Sequence, residues 1–545
     1  MPDELESFEP ATGEQLGAVR VTPREAVGSI VASVAQVQPF WGALTLADRG
    51  RYLERMAQVV IEEADEIRDL IVREQGKPRV EAFSMEVLPS LDALHWIARA
   101  GQQLLADEPI PMHQLYLKGK EATLIHEPLG VVAVISPFNY PWSIPLAQIA
   151  TALMAGNGVV LKPAPLTPLV AERIVRAFER AGLPEGLLRV IHGPDAGPAL
   201  VASPVAKVFF TGSVETGRKV GEGCARALKG SVLELGGKDP MVVLEDADLD
   251  HAVAGAVWAG FANAGQSSSG IERVYAMRGI SKRFESALVA AARRLKLGNP
   301  LSWDTEVGPL SSHAQLERLR ALVDDALAAG AELRCGGPVE PPPGCEGPFF
   351  APAVITGVTH EMRLMREELC GPVLPLVTVD SEDEAVALAN DSRFGLGASV
   401  WTRDRCKGEL IARELEAGMV WINDHMYSHG ACQCPWGGTK ESGLGRGHSR
   451  FGFNECVNLK LRTWESSRMR DPWWHPYDET LGQALREAAT VLYGRPSIRA
   501  SALRQGAVPV MKLGLRLFAG AHVRRRGAAH ARPRGSAHVP TPNNL

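Results

Sequence analysis

Short apolar runs alternate with amphipathic stretches over most of the chain. VVAVIS (131–136), VVLK (159–162), LRVIHG (188–193), KVFFTG (207–212) and SVLEL (231–235) are continuous and short, as strands buried on both faces are. Between them lie segments with helical periodicity, such as PLVAERIVRAFERAG (168–182). A second series keeps the same rhythm: MVVLED (241–246), a helix over 248–265, ERVYAM (272–277), a helix over 280–295, VLPLVTV (373–379), a helix over 381–391 and MVWIND (419–424). Strand–helix alternation predicts parallel sheets wrapped by helices, an α/β fold. Upstream, 46–75 reads as helix with a charged outer face, and 114–127 as a hairpin turning at Lys118-Gly119. A Pro/Gly-rich loop is expected over 335–348, a strand over 456–464, and a short helix within 471–493.

Composition narrows the class without changing this picture. With 545 residues, the chain is long enough for two or three domains. An apolar content of 45% and a charged content of 22% are ordinary for a globular protein. No apolar run reaches the roughly 20 residues of a membrane span. The N-terminus, MPDELESFEPATGEQ, is acidic and unlike a secretory signal. Eight scattered cysteines show neither zinc spacing nor the density of a disulfide scaffold, so no metal is expected and a reduced, cytoplasmic protein is. Charge is uneven: residues 488–545 hold ten Lys/Arg and no Asp/Glu, which leaves the body acidic and a poor match for nucleic acid.

Several segments carry candidate chemistry. VFFTGSVETGRKVG (208–221) ends a strand in a Gly-Ser turn and opens a helix, whose N-terminal amides favour an anion. There Gly212 and Gly217 would let a flat ligand approach the backbone, although a plain strand–helix turn gives the same pattern. Lys162 ends a strand in VVLKPAP, placed for ribose hydroxyls or phosphate, or merely for solvent. Glu234 in SVLELGGKDP ends an apolar strand, where burial raises a carboxyl's pKa and suits it to general-base work. Asn139 in ISPFNYPW sits in a loop after a strand, where an amide can hold a developing oxyanion. EELCGPVLP (367–375) and PWGGTKESGLGR (435–446) are Gly/Pro loops with charged side chains.

In this order and spacing the segments resemble the aldehyde dehydrogenase superfamily over about residues 5–465. The resemblance implies NAD- or NADP-dependent oxidation of an aldehyde to a carboxylic acid. It also implies a Rossmann-type dinucleotide-binding domain, an α/β catalytic domain and a small oligomerisation sheet. By motif, Asn139 matches the oxyanion asparagine and Lys162 the ribose-binding lysine. Gly212, Ser213 and Gly217 belong to the turn over the pyrophosphate and nicotinamide. Glu234 matches the general base, and Glu368 the glutamate that binds the nicotinamide ribose. The family pattern GQxC runs five residues on to an arginine. Gly265, Gln266 and Arg273 keep that register, but the nucleophile position is Ser268.

The family's chemistry needs a thiolate, and a serine hydroxyl is far less acidic than a thiol. Oxidation is therefore expected to be impaired or absent. Three accounts stay open: an introduced Cys→Ser trap, a natural cofactor-binding pseudoenzyme acting as scaffold or regulator, and weak residual chemistry through Ser268 or another group. Pro165 stands where many relatives carry a ribose-gripping glutamate, which leaves NADP acceptable. Cys370 replaces a phenylalanine that backs the cofactor. Cys370, Cys432 and Cys434 are placed near the tunnel by motif, and Trp142, Phe261 and Trp436 are expected to line it for an apolar aldehyde.

The expected organisation is a dinucleotide domain over 1–113 and 128–236, a catalytic domain over 237–430, and oligomerisation arms at 114–127 and 447–465. A C-terminal extension follows at 466–545. The arms imply a homodimer or homotetramer. For the basic tail, a solvating segment is favoured over contact with an anionic membrane.

Overall fold

The computed structural model describes residues 3–114, 117, 119–466, 471 and 473–499. The chain divides into two units, Met1–Ala106 with Ile125–Lys460, and Asp107–Leu124 with Leu461–Leu545.

The first unit contains two large sheets. One has six strands in the order Gly443–Leu444, Gly230–Glu234, Lys207–Thr211, Val131–Ile135, Gly158–Lys162 and Leu188–Val190. Five of these strands are parallel, and Gly443–Leu444 runs antiparallel, against Glu234 and Leu233. The other sheet has seven strands, ordered Glu332–Pro338, Phe350–Thr356, Val373–Val379, Ile271–Met277, Asp239–Val243, Gly397–Trp401 and Met419–Ile422. In it, Glu332–Pro338 alone is antiparallel. Val131–Ile135, Gly158–Lys162 and Asp239–Val243 are buried along their whole length; the first two carry the expected apolar runs, whereas the third starts at Asp239-Pro240 and ends at Val243, short of the expected 241–246.

Helices cover both faces of the six-stranded sheet. Pro168–Arg180 buries Val170, Ala171, Ile174, Val175, Ala177 and Phe178 at helical spacing, with charges outward. The periodic stretch 46–75 is two helices, Leu46–Glu62 and Ala64–Gln75, broken at Glu63. Thr45 caps the first by accepting from the Asp48 amide. Gly76 ends the second in the left-handed region at φ 98°.

Three expectations need correction. Glu332–Pro338 is a strand that reaches into the expected 335–348 loop; Gly336 and Gly337 both have positive φ there, and the pairing shifts register beside them. The expected helix over 248–265 stops at Phe261, and a tight turn, Ala262–Gly265, follows. In the second unit, Lys118 of the expected hairpin turn lies outside the described residues. Strand Lys120–Pro128 pairs through Ala122, Thr123 and Leu124 with Glu108–Ile110, so the partner strand lies upstream of Gln114. Lys120 in that unit is ion-paired with Glu465 and, at 2.8 Å, with Asp471. Helix Glu479–Tyr493 is capped by Asp478, which accepts from the Leu481 amide at 2.9 Å. The basic tail beyond Arg499 lies outside the described residues. Among the described residues no single helix is long and apolar enough to cross a membrane.

Candidate active site

The loops at the carboxyl ends of the strands converge around the Gly236-Gly237 turn, the position at which open α/β sheets take ligands. A Cβ on Gly236 would lie 2.3 Å from Glu368 Oε2, and one on Gly237 would lie 2.1 Å from the Ser268 carbonyl oxygen. The backbone oxygen leaves no room for a side chain at Gly237, while at Gly236 the Glu368 carboxylate would have to move. The turn therefore brings the strand bearing Glu234 against both the Glu368 loop and the Ser268 loop.

The Ser268 loop is shaped before its serines begin. Asn263, Ala264 and Gly265 have φ of 56°, 52° and 68°, three successive residues in the left-handed region. Polar contacts hold them. Gln75 Nε2 donates to Asn263 Oδ1 at 2.8 Å, and Glu81 accepts from the Asn263 amide at 2.8 Å. Gln266 Oε1 accepts from the Ser311 amide at 2.9 Å. Ser267 and Ser269 are buried, while Ser268 is partly exposed. The Ser268 hydroxyl makes no hydrogen bond among the described residues. His425 donates through Nε2 to the Ser269 carbonyl at 2.9 Å, and burial holds its pKa down at about 3. It is thus a neutral structural group rather than a base for a serine.

Asn139 lies beside this loop. Its Nδ2 donates to the Gln266 carbonyl at 3.0 Å, which occupies one of its two N–H groups and fixes the amide plane. Its own carbonyl accepts from Lys77 Nζ at 2.8 Å and from Asn263 Nδ2 at 3.0 Å. Lys77 is fully buried and paired with Glu86 at 2.7 Å. The other Glu86 oxygen accepts from the amides of Trp142 and Ser143, at the start of helix Ser143–Met154.

Glu234 is buried at the end of its strand. Its Oε2 accepts from Gln148 Nε2 at 3.1 Å and from Thr211 Oγ1 at 3.0 Å. Burial outweighs these bonds and pushes its pKa up to about 7. Glu368 is likewise pushed up to about 7, by burial and then by the neighbouring Glu272. Its loop is tied down by Glu272, which accepts from the Leu369 and Cys370 amides and is ion-paired with buried Lys238 at 2.9 Å. Arg273, beside Glu272, is consumed by structure: it donates to the carbonyls of Lys238, Leu388 and Ala389.

Lys162 sits at the carboxyl end of a central strand. It is buried, its ammonium has no partner among the described residues, and burial pulls its pKa down to about 8. A buried cation without a counter-charge fits a phosphate or ribose brought by a ligand. Ser213 caps helix Val214–Arg226 by accepting from the Thr216 amide, with Gly212 just before it. These residues would hold a dinucleotide. At both glycines a side chain also packs close to the backbone. A Cβ on Gly212 would lie 2.7 Å from the Phe210 ring, and one on Gly217 would lie 2.4 Å from Leu235.

The expected tunnel aromatics separate. Trp142 is buried in the core under the six-stranded sheet, and Phe261 in that of the seven-stranded sheet. Of the three, Trp436 faces a cavity of the site, shared with Glu234 and His429. The apolar side of the Ser267 loop is instead Met85, Tyr140, Ile144, Ala262 and Met426. Two of the three thiols expected near the tunnel are held protonated. Cys370 is pushed well up by burial and Glu368, and buried Cys432 is pushed up to about 12. Lys77, Glu86, Gln148 and Glu272 were not singled out from sequence. Buried charge in otherwise ordinary helices and strands was the one available signal, and burial is invisible in a single chain.

Two parallel sheets meeting at glycine turns, with a partnerless lysine at one strand end and a protonatable glutamate at another, define a nucleotide-dependent α/β enzyme scaffold. A family model described as "Aldehyde dehydrogenase family" matches residues 1–461, and the chain belongs to that family. A betaine aldehyde dehydrogenase of Rhizobium etli (strain CIAT 652) is 38% identical over 458 residues, covering 84% of this chain and 93% of the relative. A crystal structure of aldehyde dehydrogenase from Brucella melitensis biovar abortus 2308 superposes with a TM-score of 0.81 at 35% identity, over 85% of this chain and 94% of that one. An NAD+ complex of aldehyde dehydrogenase from Bacillus cereus gives 0.81 at 33% identity, over 85% and 93%.

Proposed function

We propose that this chain binds NAD or NADP and an apolar aldehyde in an aldehyde dehydrogenase site whose oxidation chemistry is severely impaired by Ser268. The observation that carries the reading is the Ser268 hydroxyl itself, part-exposed on a rigid loop and without a base bonded to it. Asn139 has one N–H left for an oxyanion, and Glu234 is suited to accept a proton near neutrality. Lys162, Ser213 and Glu368 would hold the cofactor, which supplies the hydride acceptor when bound. A serine at 268 would have to lose a proton that no neighbouring group takes, so the carbonyl is bound and polarised but attacked slowly.

The aldehyde is read as apolar because Met85, Tyr140, Ile144, Ala262 and Met426 cluster beside the Ser267 loop. The reading of a non-catalytic, cofactor-binding scaffold is favoured by a hydroxyl at the nucleophile position and by the raised pKa of Cys370 and Cys432. A homodimer or homotetramer is proposed from the strands at Lys120–Pro128 and Val457–Glu465.

Equilibrium titration with NAD and NADP, and NAD(P)H formation by the protein and by Ser268→Cys over a panel of aldehydes, test the proposal. Binding with turnover only in the cysteine form supports it. Absence of cofactor binding at millimolar levels would sink it. Binding without turnover in either form leaves the scaffold reading in place.

A further inference from the structure

Beside Glu234 lies a cavity of about 20 Å3. Its lining includes Gln148, Glu234, His429 and His448, with Trp436 and Gly447 beside them. Two enclosed polar atoms on these side chains have no partner, Gln148 Oε1 and His448 Nδ1. Buried polar atoms are seldom left unpaired, and a space of this size takes about one water. Glu234 Oε1 faces the same wall: a Cβ on Gly447 would lie 2.3 Å from it.

The backbone at His448 is special. Its φ is 61°, a left-handed conformation unusual for a residue with a side chain, and its carbonyl accepts from the Gly452 amide. The residue is part-exposed, and of its two ring nitrogens Nδ1 is the one enclosed without a partner. Its ring lies 6.3 Å from that of Trp436, which in turn lies 5.2 Å from the His429 ring. His429 is already engaged with the Ser143 hydroxyl at 3.4 Å. The titratable groups facing His448 across the cavity are Glu234, His429 and Cys456.

We propose that His448 relays protons between Glu234 and solvent through one water bound to Gln148 Oε1, Glu234 Oε1 and His448 Nδ1. The inference rests on the reading of Glu234 as the base of an aldehyde dehydrogenase site. In hydrolysis of an acyl-enzyme, water loses a proton to Glu234 as its oxygen bonds the acyl carbon and the enzyme's sulfur or oxygen leaves. Glu234 must then shed that proton. It passes from the carboxyl to the bridging water, which gives one of its own to His448 Nδ1, and the imidazolium releases a proton from Nε2 to solvent. Burial pulls the His448 pKa down to about 4, below that of Glu234, so the transfer is uphill and the imidazolium is a transient carrier.

The test uses the full-length Ser268→Cys protein with and without His448→Phe, and with His448→Gln as a polar control. Single-turnover NAD(P)H formation and steady-state turnover are measured together. The relay predicts an unchanged single-turnover rate and a steady rate lowered about tenfold or more in both His448 variants, restored in part by added imidazole. An unchanged steady rate, or single-turnover and steady rates falling together without rescue, would overturn the relay alone. No NAD(P)H from any form would overturn the underlying dehydrogenase reading and the relay with it. A crystal structure of the full chain provides a separate check: a water within hydrogen-bond reach of all three atoms supports the site, and a dry cavity overturns it.

Discussion

Lys77 donates to the carbonyl of Asn139 at 2.8 Å while its ammonium is paired with Glu86 at 2.7 Å, both side chains being fully buried. One ion pair thus fixes the backbone of the candidate oxyanion residue. The Glu86 carboxylate also receives the amides that begin the next helix. Removing either partner leaves a charge buried alone.

Lys77→Met should therefore cost roughly 3–5 kcal/mol of stability, because Glu86 is left uncompensated. Lys77→Met with Glu86→Leu should recover part of the loss. Urea unfolding of the single and double variants checks this, and equal stability of the single variant and the parent would show the pair to be dispensable.

Glu234 gives the protein a pH dependence of definite sign. A glutamate in the unfolded chain titrates near about 4.3, whereas this one is held up at about 7 by burial. Folding favours its protonated form. That contribution is complete below about pH 4 and is lost as pH rises through 7. Glu234→Gln keeps the neutral shape, so it should flatten the fall in stability and gain on the order of 2–3 kcal/mol at pH 8. Denaturation at pH 5 and pH 8 decides it; the same slope in both proteins would contradict the assignment.

Lys162 and Pro165 separate two parts of cofactor recognition. Lys162→Ala should weaken NAD and NADP alike, by about tenfold. Pro165→Glu places a carboxylate where a 2′-phosphate would come, so it should weaken NADP by about tenfold or more and leave NAD unharmed. Fluorescence titration reads both. Equal losses for the two cofactors in Pro165→Glu would move the ribose away from this loop.

Gly217→Ala sets a Cβ 2.4 Å from Leu235 on an otherwise well-packed helix. It should cost about 1–3 kcal/mol through overpacking while cofactor affinity, measured on the folded fraction, stays the same. A large loss of affinity without destabilisation would restore this glycine to a ligand-facing role.

Much of the fold was legible because buried parallel strands are written as unbroken apolar runs. Val131–Ile135 and Gly158–Lys162 needed nothing more. Gly397–Trp401 was missed although it is equally buried, since its GASVW is small and polar enough to pass for loop. Glu332–Pro338 was missed because its glycines and proline, turn signals elsewhere, here mark irregular pairing at a sheet edge. At the site, Glu234, Asn139 and Lys162 could be named because they sit in motifs. Lys77 and Gln148 could not, since their roles exist only once distant segments meet. Gly217 carries a ligand signature in the sequence, and the structure adds a packing reason for the same glycine.

The left-handed turn at Asn263, Ala264 and Gly265 is held from outside by Gln75, Glu81 and Ser311, and none of these contacts involves the side chain at 268. The loop is a socket whose shape is indifferent to the plug. Ser268→Cys should accordingly shift stability by less than about 0.5 kcal/mol while raising NAD(P)H formation by a factor of about a thousand or more. Calorimetry and initial rates read the two quantities independently. A scaffold built this way lets its reactive atom be exchanged, lost or regained in one step, with no refitting of the protein around it.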